Sequence, residues 1–126
     1  MDETKKLQQG SIVQVEITDS NGNIKKRPAL VITKSDEILT REQFVGLAIT
    51  TTFPNPPLYN QVEIPSHPKG YVSTGLRRRS AVVCNWAVVL TEEKILSIKG
   101  YLPTNRFIDV MKVRQQFEDE EPSVEE

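Results

Sequence analysis

Apolar and polar residues alternate along several short stretches of the chain, which is the pattern of half-buried β-strands. Near the start, Val13, Val15 and Ile17 are apolar and the residues between them are polar. The dipeptide Asn21-Gly22 follows, and it is the short sequence most typical of a hairpin turn. The alternation and the turn together predict an antiparallel hairpin.

Further strands are predicted from apolar runs that lie between turn residues. The run 28–33 is nearly continuous and rich in β-branched residues, which suits a buried strand with Pro28 at its first position. Thr91 is predicted to cap a short helical turn that begins with two acidic residues. The other predicted strands are 44–50, 59–64, 80–85 and 86–90 with a bend between these two, and 96–102.

From Thr104 the apolar spacing becomes helical. One helical face is formed by Phe107, Val110, Met111, Arg114 and Phe117. This spacing predicts a terminal helix of about four turns. Short strands followed by one helix indicate a mostly β fold with a C-terminal helix, in the form of a small curled sheet or barrel.

The length of 126 residues suits one domain. We place it at residues 10–117, after a flexible segment 1–9 and before an acidic, disordered tail 118–126. The net charge is −1, but six of the 17 acidic residues lie in the tail, which leaves 11 against 16 Lys and Arg and gives the rest about +5. This asymmetry favours an anionic partner, although a solvated surface with a solubilising tail explains it equally well. We also consider that the tail occupies the basic surface of its own chain.

The composition excludes several classes of function. No apolar run approaches the roughly 20 residues of a membrane helix, and no secretory signal is expected. Cys84, the only cysteine, lies in an apolar run and is expected to be a buried small hydrophobe in a protein of the reducing cytoplasm. His67 is the only histidine, so a two-histidine ribonuclease mechanism is impossible, and its place between prolines argues against a catalytic triad. No cluster has metal-ligand spacing, so neither a metal nor a cofactor is expected.

Basic and hydroxyl side chains collect at the predicted ends of strands, where loops converge in small barrels. The planar arginine side chain binds phosphate through two hydrogen bonds, and threonine hydroxyls donate to the same oxygens. Taken singly, each group is better explained as a solvated turn or a β-branched strand end. The groups are Lys25, Lys26 and Arg27, then Thr50, Thr51 and Thr52, then Arg77, Arg78 and Arg79.

Five short motifs follow one another along the chain. They are Gly10-Ser11-Ile12-Val13, then Arg27-Pro28-Ala29-Leu30-Val31-Ile32, Ala48-Ile49-Thr50-Thr51, Val62-Glu63-Ile64, and Gly75-Leu76 with Ser80-Ala81-Val82-Val83. In this order they resemble the PemK/MazF family of toxin–antitoxin ribonucleases over about residues 10–117.

The resemblance implies an SH3-like barrel with a C-terminal helix, usually a homodimer. It also implies metal-independent cleavage of single-stranded RNA to 2′,3′-cyclic phosphate and 5′-hydroxyl ends, and neutralisation by an antitoxin. The family's catalytic arginine and threonine fall on Arg27 and Thr50. The other seven basic and hydroxyl residues collected above would bind flanking phosphates. Phe53 and Tyr59 are candidates for stacking on bases, with ordinary packing as the alternative.

The chain departs from the family in one segment. Where the family commonly reads Asp-Gln-Ile/Val-Arg/Lys-Thr/Ser, this chain has Asn85-Trp86-Ala87-Val88-Val89 and lacks a basic residue and a hydroxyl. Two other functions therefore stay open. One is a non-catalytic RNA-binding domain. The other is a protein-binding poison on the same barrel, resembling the gyrase-inhibiting toxins, which act through a C-terminal Trp-Gly-Ile that this acidic C-terminus lacks.

Overall fold

A computed structural model describes residues 6–18, 21–38 and 42–117 of the chain. The acidic tail 118–126 and residues 1–5 of the predicted flexible segment lie outside these ranges. A 3-10 turn, Glu92–Lys94, joins the last two strands. The elements are β1 (Ser11–Thr18), β2 (Ile24–Val31), α1 (Ser35–Ile38), β3 (Phe44–Thr50), β4 (Gln61–Ile64), β5 (Ser80–Leu90), β6 (Ile95–Tyr101) and α2 (Thr104–Gln115).

The six strands form one antiparallel sheet in the order β4-β5-β3-β2-β1-β6. This confirms a mostly β fold with a C-terminal helix, and a small SH3-like barrel is consistent with it. The edge strands β4 and β6 do not pair with each other within the described residues, so hydrogen bonds do not close the barrel. Neither helix of that part is long and apolar enough to cross a membrane.

The predicted hairpin is formed by β1 and β2, whose ladder runs almost the whole length of both strands. Val13 and Val15 are fully buried and Ile17 is half-buried, as their alternation predicts. Gly22 lies in the connecting turn with φ +84, a left-handed conformation that glycine adopts without steric cost. The alternation of apolar and polar residues and the turn sequence therefore both predict the hairpin that the structure contains.

The second strand begins earlier than predicted. It starts at Ile24, so the placement of Pro28 at the first position of the strand is wrong. Proline has no backbone N–H to donate to a neighbouring strand. It is therefore tolerated where its strand has no partner on one side. At Pro28, β2 is locally an edge, because β3 pairs only with residues 29–31.

Alternate residues of the central strands divide between two buried clusters, one on each face of the sheet. Leu30 belongs to the first cluster, which continues into α2 through Val110. Its neighbours Ala29 and Val31 belong to the second cluster, which includes Ile38 of α1. Because both faces of β2 are covered here, the sequence of this stretch is apolar at every position and not only at alternate ones.

The fifth strand is one continuous element and not two. The predicted bend is present as a break in its register with β3. Cys84 lies within the segment where the register breaks and is fully buried, which confirms its interpretation as a small hydrophobe. Burial raises the pKa of the Cys84 thiol to about 11, against a weaker opposing effect of the Arg114 charge.

The predicted helical elements are both present. The terminal helix begins at Thr104 as predicted and has 12 residues, just over three turns. The turn that starts with Glu92 and Glu93 is also present, but the prediction that Thr91 caps it is wrong. The Thr91 side chain makes no capping hydrogen bond, and only the backbone closes this turn.

Residues 6–9, which the sequence places in the flexible segment, contact the domain. Leu7 packs against the second cluster. The backbone N–H of Gln9 donates to Ser35 Oγ at 2.9 Å, and its side-chain amide donates to the Ile32 carbonyl oxygen at 2.9 Å. These contacts join the start of the described chain to the α1 region.

The loop of residues 73–75 crosses the edge strand β6 with its backbone in contact with the backbone of residues 99–101. The backbone N–H of Tyr101 donates to the carbonyl oxygen of Ser73 at 2.9 Å. A Cβ atom on Gly100 would overlap that same Ser73 oxygen, and one on Gly75 would lie 2.5 Å from the Lys99 carbonyl oxygen. Both glycines are therefore required by the approach of backbone to backbone.

We expect Gly100→Ala to lower the free energy of unfolding by about 2 kcal/mol or more, because the methyl group can be accommodated only by moving backbone. Urea unfolding followed by circular dichroism measures the loss. Ser97→Ala, an exposed position of the same strand, is the matched control and should change stability little. Equal stability of the two variants would contradict the close crossing.

Candidate active site

A cleft opens at one end of the sheet because β2 and β3 stop pairing there. Their ladder covers only residues 29–31 of β2 and 46–48 of β3, whereas the ladder between β2 and β1 continues to Ile24. The first half of β2 and the end of β3 are therefore neighbours that do not pair. The cleft between them has a volume of about 400 Å³.

Arg27 and Thr50, the predicted catalytic pair, both line this cleft. Extending the register of Ala29↔Ala48 by two residues along each strand places Arg27 opposite Thr50. Side chains two residues apart leave a strand on the same face, so the two residues share one side of the sheet. Both are half-buried, which leaves them accessible. The lining residues are Lys25, Lys26, Arg27, Pro28, Ile49, Thr50, Thr51 and Thr52.

The lining combines positive charge with hydroxyl groups. It contains three consecutive cations and three consecutive threonines, and none of the described residues that form it is acidic. Lys25, Lys26, Thr51 and Thr52 are exposed. A concave surface lined by one sign of charge attracts ligands of the opposite sign, so the cleft suits an anion.

The Thr50 hydroxyl is held by the backbone that follows it. Its Oγ1 accepts a hydrogen bond from the Thr52 N–H at 3.1 Å and donates to the Thr52 carbonyl oxygen at 3.2 Å. A hydroxyl has one proton, so donation to a ligand requires Thr50 to release the longer of these two bonds. The shorter bond can persist and fix the position of the oxygen.

The Arg27 guanidinium lies over an aromatic ring. Its Cζ is 5.0 Å from the centroid of the Trp86 ring, within the range of a cation–π interaction. Trp86 is half-buried on β5. Sequence reasoning noted this residue only as part of a departure from the family pattern and did not place it in the site.

Other chemistry is sparse in the described residues. No three His, Cys, Asp or Glu side chains among residues 6–18, 21–38 and 42–117 lie close enough together to hold a metal ion. His67 is exposed, and its Nδ1 accepts a hydrogen bond from the Lys69 N–H at 3.1 Å. It takes part in its own turn and does not line the cleft.

Residues 8–117 match the family model described as the PemK-like, MazF-like toxin of type II toxin–antitoxin systems. The chain belongs to this family. No curated protein sequence matches the chain significantly.

Solved structures of MazF proteins share the fold of this PemK/MazF family member. A MazE–MazF complex from Deinococcus radiodurans has 16% identity and a TM-score of 0.69, covering 88% of this chain and 94% of that chain. The Mycobacterium tuberculosis toxin MazF-mt6 has 20% identity and a TM-score of 0.68, covering 86% and 96%. An endoribonuclease in complex with its cognate antitoxin, from a mycobacterial species, has 16% identity and a TM-score of 0.62, covering 88% and 96%.

The arginine triplet of this PemK/MazF chain lies beside the end of β3. The start of β5 pairs with β3 through Thr50↔Ala81, so the three arginines that precede β5 approach residues 51–53. Arg77 and Arg78 are exposed. Arg79 donates two hydrogen bonds of 2.9 Å to the Glu63 carboxylate and stacks 4.5 Å from the Phe53 ring centroid.

The two aromatic candidates for base stacking both have packing partners. Phe53 is half-buried under the Arg79 guanidinium. Tyr59 is 78% exposed, and its ring centroid lies 6.0 Å from that of Phe117 in a tilted arrangement. Each ring therefore has a role in the free protein, while Tyr59 keeps most of its surface available.

In the segment 85–89, which departs from the family pattern, the structure explains the valine at position 88. Val88, which stands where the family commonly has a basic residue, packs against the second buried cluster. Val89 is 56% exposed. Both pair with the early part of β3, at Gly46 and Val45, and neither lines the cleft.

The Glu63–Arg79 ion pair gives a pH-dependent test. The hydrogen bond from Arg79 lowers the pKa of Glu63 below its ordinary value of 4.5, and burial opposes it more weakly. A carboxyl group whose pKa is lower in the folded state stabilises the fold above its unfolded pKa and loses this effect as pH falls through the folded value. We therefore expect Glu63→Gln to be less stable than the wild type at pH 7, with a small difference that shrinks below about pH 4.5.

Urea unfolding of the wild type and Glu63→Gln between pH 3 and pH 7 measures this difference. Arg79→Gln should reproduce the effect, and the double variant should add nothing to the larger of the two. A stability difference that is the same at both ends of the pH range would show that the pair does not shift the Glu63 titration.

Proposed function

We propose that the protein is the toxin of a type II toxin–antitoxin pair and a metal-independent endoribonuclease that cleaves single-stranded RNA in the β2–β3 cleft. The observation that supports this most directly is the placement of Arg27 and Thr50 on facing strands of one accessible, cation-lined cleft. Membership of the PemK/MazF toxin family and the shared fold of MazF structures support the same function.

In the proposed reaction the RNA supplies its own nucleophile. The 2′-hydroxyl oxygen attacks the adjacent phosphorus, and the bond from phosphorus to the 5′-oxygen breaks. The 2′-hydroxyl loses its proton and the departing 5′-oxygen gains one, so the products are a 2′,3′-cyclic phosphate and a 5′-hydroxyl. Alignment of these atoms and stabilisation of added negative charge are the two contributions left to the protein.

Arg27 has the role of stabilising charge on the phosphate. Its guanidinium is a permanent cation with donors in one plane, which matches two phosphate oxygens. Thr50 is assigned to orient or donate to one of the same oxygens, because its oxygen is fixed by the Thr52 N–H. None of the described residues that line the cleft is a histidine or carries a carboxylate, and we assign both proton transfers to water.

The remaining cations are assigned to RNA binding along the strand. Lys25 and Lys26 line the cleft on β2 next to Arg27, and Arg77 and Arg78 precede β5 beside the residues that follow Thr50. This spread of charge suits several successive phosphates of one extended strand. Arg79 contributes less, because Glu63 already neutralises it.

We further propose an antitoxin partner and a homodimer in the cytoplasm. The support is the family, whose members are toxins of type II toxin–antitoxin systems, and the similarity in fold to a MazE–MazF complex and to an endoribonuclease bound to its cognate antitoxin. An antitoxin that covers the cleft would block RNA entry.

The test is cleavage of a long single-stranded RNA by the folded protein in EDTA, with the ends of the fragments mapped. We expect defined cuts that leave cyclic phosphate and 5′-hydroxyl ends. Arg27→Ala should lower kcat by at least about 100-fold, the size of the loss when a donor to a developing charge is removed. Thr50→Val should give a smaller loss at nearly unchanged fold, since the two side chains have almost the same shape.

Arg106→Ala is the matched control for Arg27→Ala. Arg106 is an exposed arginine of α2 that faces Asp109 at 3.8 Å, so its removal should leave cleavage unchanged. RNA with a 2′-deoxy residue at the cut site should resist cleavage. Fragments with 5′-phosphate ends, loss of activity in EDTA, or RNA that is bound but uncut would contradict the proposed reaction, and the last result would indicate an RNA-binding domain.

A further inference from the structure

The register break in β5 changes which way its side chains point. Leu47 of β3 pairs with Ala87, and two residues later Ile49 pairs with Val82, which is five residues away on β5. Residues 83–86 therefore lie opposite Ala48 alone. Extra residues of this kind form a bulge, which re-aims the side chains that follow it.

The buried clusters show the change directly. Ahead of Trp86, Val82 and Cys84 belong to the first cluster. After it, Ala87 belongs to the first cluster, whereas Val88 and Leu90 belong to the second. Even-numbered side chains have thus moved from one face of the sheet to the other.

Trp86 owes its direction to this change. Without the break, Trp86 would point to the same face as Cys84, into the first cluster. With it, Trp86 points away from that cluster and towards the face that bears Ala29, Val31 and, by the same alternation along β2, Arg27.

Hydrogen bonds hold the break just before Trp86. The Cys84 N–H donates to the Asn60 carbonyl oxygen at 2.8 Å, and the Arg114 guanidinium donates to the Cys84 carbonyl oxygen at 3.0 Å. The side-chain amide of Asn60 donates to Asn85 Oδ1 at 2.8 Å. Cys84 and Asn85, which lie within the bulge, are thus anchored to α2 and to the segment that precedes β4.

The guanidinium of Arg27 has no other anchor within the described residues. It forms neither an ion pair nor a side-chain hydrogen bond there, and its contact is the Trp86 ring at 5.0 Å. A free arginine side chain samples many rotamers, and a ring face that attracts the planar cation restricts them. The donors of the guanidinium stay at its edge, available to a ligand, because stacking uses only the face of the cation.

We propose that Trp86 is a positioning residue that holds the guanidinium of Arg27 over the cleft. This inference rests on the proposed nuclease function, in which Arg27 stabilises charge on the phosphate. Its effect falls mainly on kcat, because the contact orients one cation for the transition state while other cations contribute most of the RNA affinity.

The kinetic test compares Trp86→Leu with Trp86→Phe. Trp86→Leu removes the aromatic face, and we expect kcat to fall about three- to tenfold, equivalent to about 0.7–1.4 kcal/mol, with KM nearly unchanged. Trp86→Phe keeps an aromatic face and should recover most of kcat. Tyr101→Leu is the control: it removes an aromatic ring from β6, the edge strand farthest from β4 and β5 in the strand order. It should leave kcat and KM unchanged. Thermal unfolding of each variant shows whether it is folded.

A second test does not depend on cleavage. Trp86 is the only tryptophan, so intrinsic fluorescence reports on its surroundings alone. Arg27→Ala should shift its emission to longer wavelength, because the ring face that the guanidinium covers becomes exposed to water. Arg78→Ala, which removes an exposed arginine next to β5, should leave the emission unchanged.

The outcomes separate the two proposals. If the wild type does not cleave RNA, the proposed function fails, and the emission of Arg27→Ala still decides whether the contact exists. If the wild type cleaves and folded Trp86→Leu has the wild-type kcat, the positioning role is wrong and the nuclease stands. A loss of kcat in Trp86→Leu that Trp86→Phe does not recover would also overturn it, because a packing role alone would then explain the effect. An unchanged emission in Arg27→Ala would show that the guanidinium of Arg27 does not cover the Trp86 ring.

Discussion

The candidate site depends on the point at which two neighbouring strands stop pairing. Up to Ala29 and Ala48 the central strands are joined by a ladder, and beyond it they are not. The ladder fixes the register, so residues just beyond it still face each other, while the missing pairs leave space for a ligand. Pro28 stands at this boundary, where a residue without an N–H is compatible with an open strand edge. The same arrangement therefore supplies both the alignment of Arg27 with Thr50 and the cleft between them.

The chemistry that we propose asks little of the protein beyond charge and orientation. RNA contains the attacking hydroxyl, so the site needs no nucleophilic side chain. The direction of one arginine then matters more than its mere presence, because a cation stabilises developing charge only from the correct side. In this chain the direction comes from a distant source: contacts of α2 and Asn60 hold a bulge in β5, and the bulge turns a tryptophan towards the arginine.

Much of the fold could be predicted from the sequence, because it follows from local rules. The alternation of Val13, Val15 and Ile17 and the Asn-Gly turn gave the hairpin, and the helical spacing gave the start of α2. The start of β2 could not be found, because Ile24 is exposed and is followed by three charged residues, and all four pair only on the side of β1.

The site was predictable only in part. Arg27 and Thr50 were found through the family pattern, since a register between strands cannot be read from either strand alone. Trp86 was missed because simple alternation places it on the face of Cys84, and no short sequence signal marks the residues inserted opposite Ala48. The pairing of Arg79 with Glu63 was also missed, since these residues are 16 positions apart in different strands.

That last ion pair has a consequence for how affinity should vary with salt. A cation that meets an RNA phosphate releases condensed counterions, and each such contact adds about 0.7 to the slope of log affinity against log salt concentration for a single strand. Arg79 already faces a carboxylate in the free protein, so a phosphate that approaches it meets a nearly neutral pair. The slope would therefore be smaller than the number of arginines and lysines around the cleft suggests. Through Glu63, the contribution of Arg79 to RNA affinity would depend little on ionic strength.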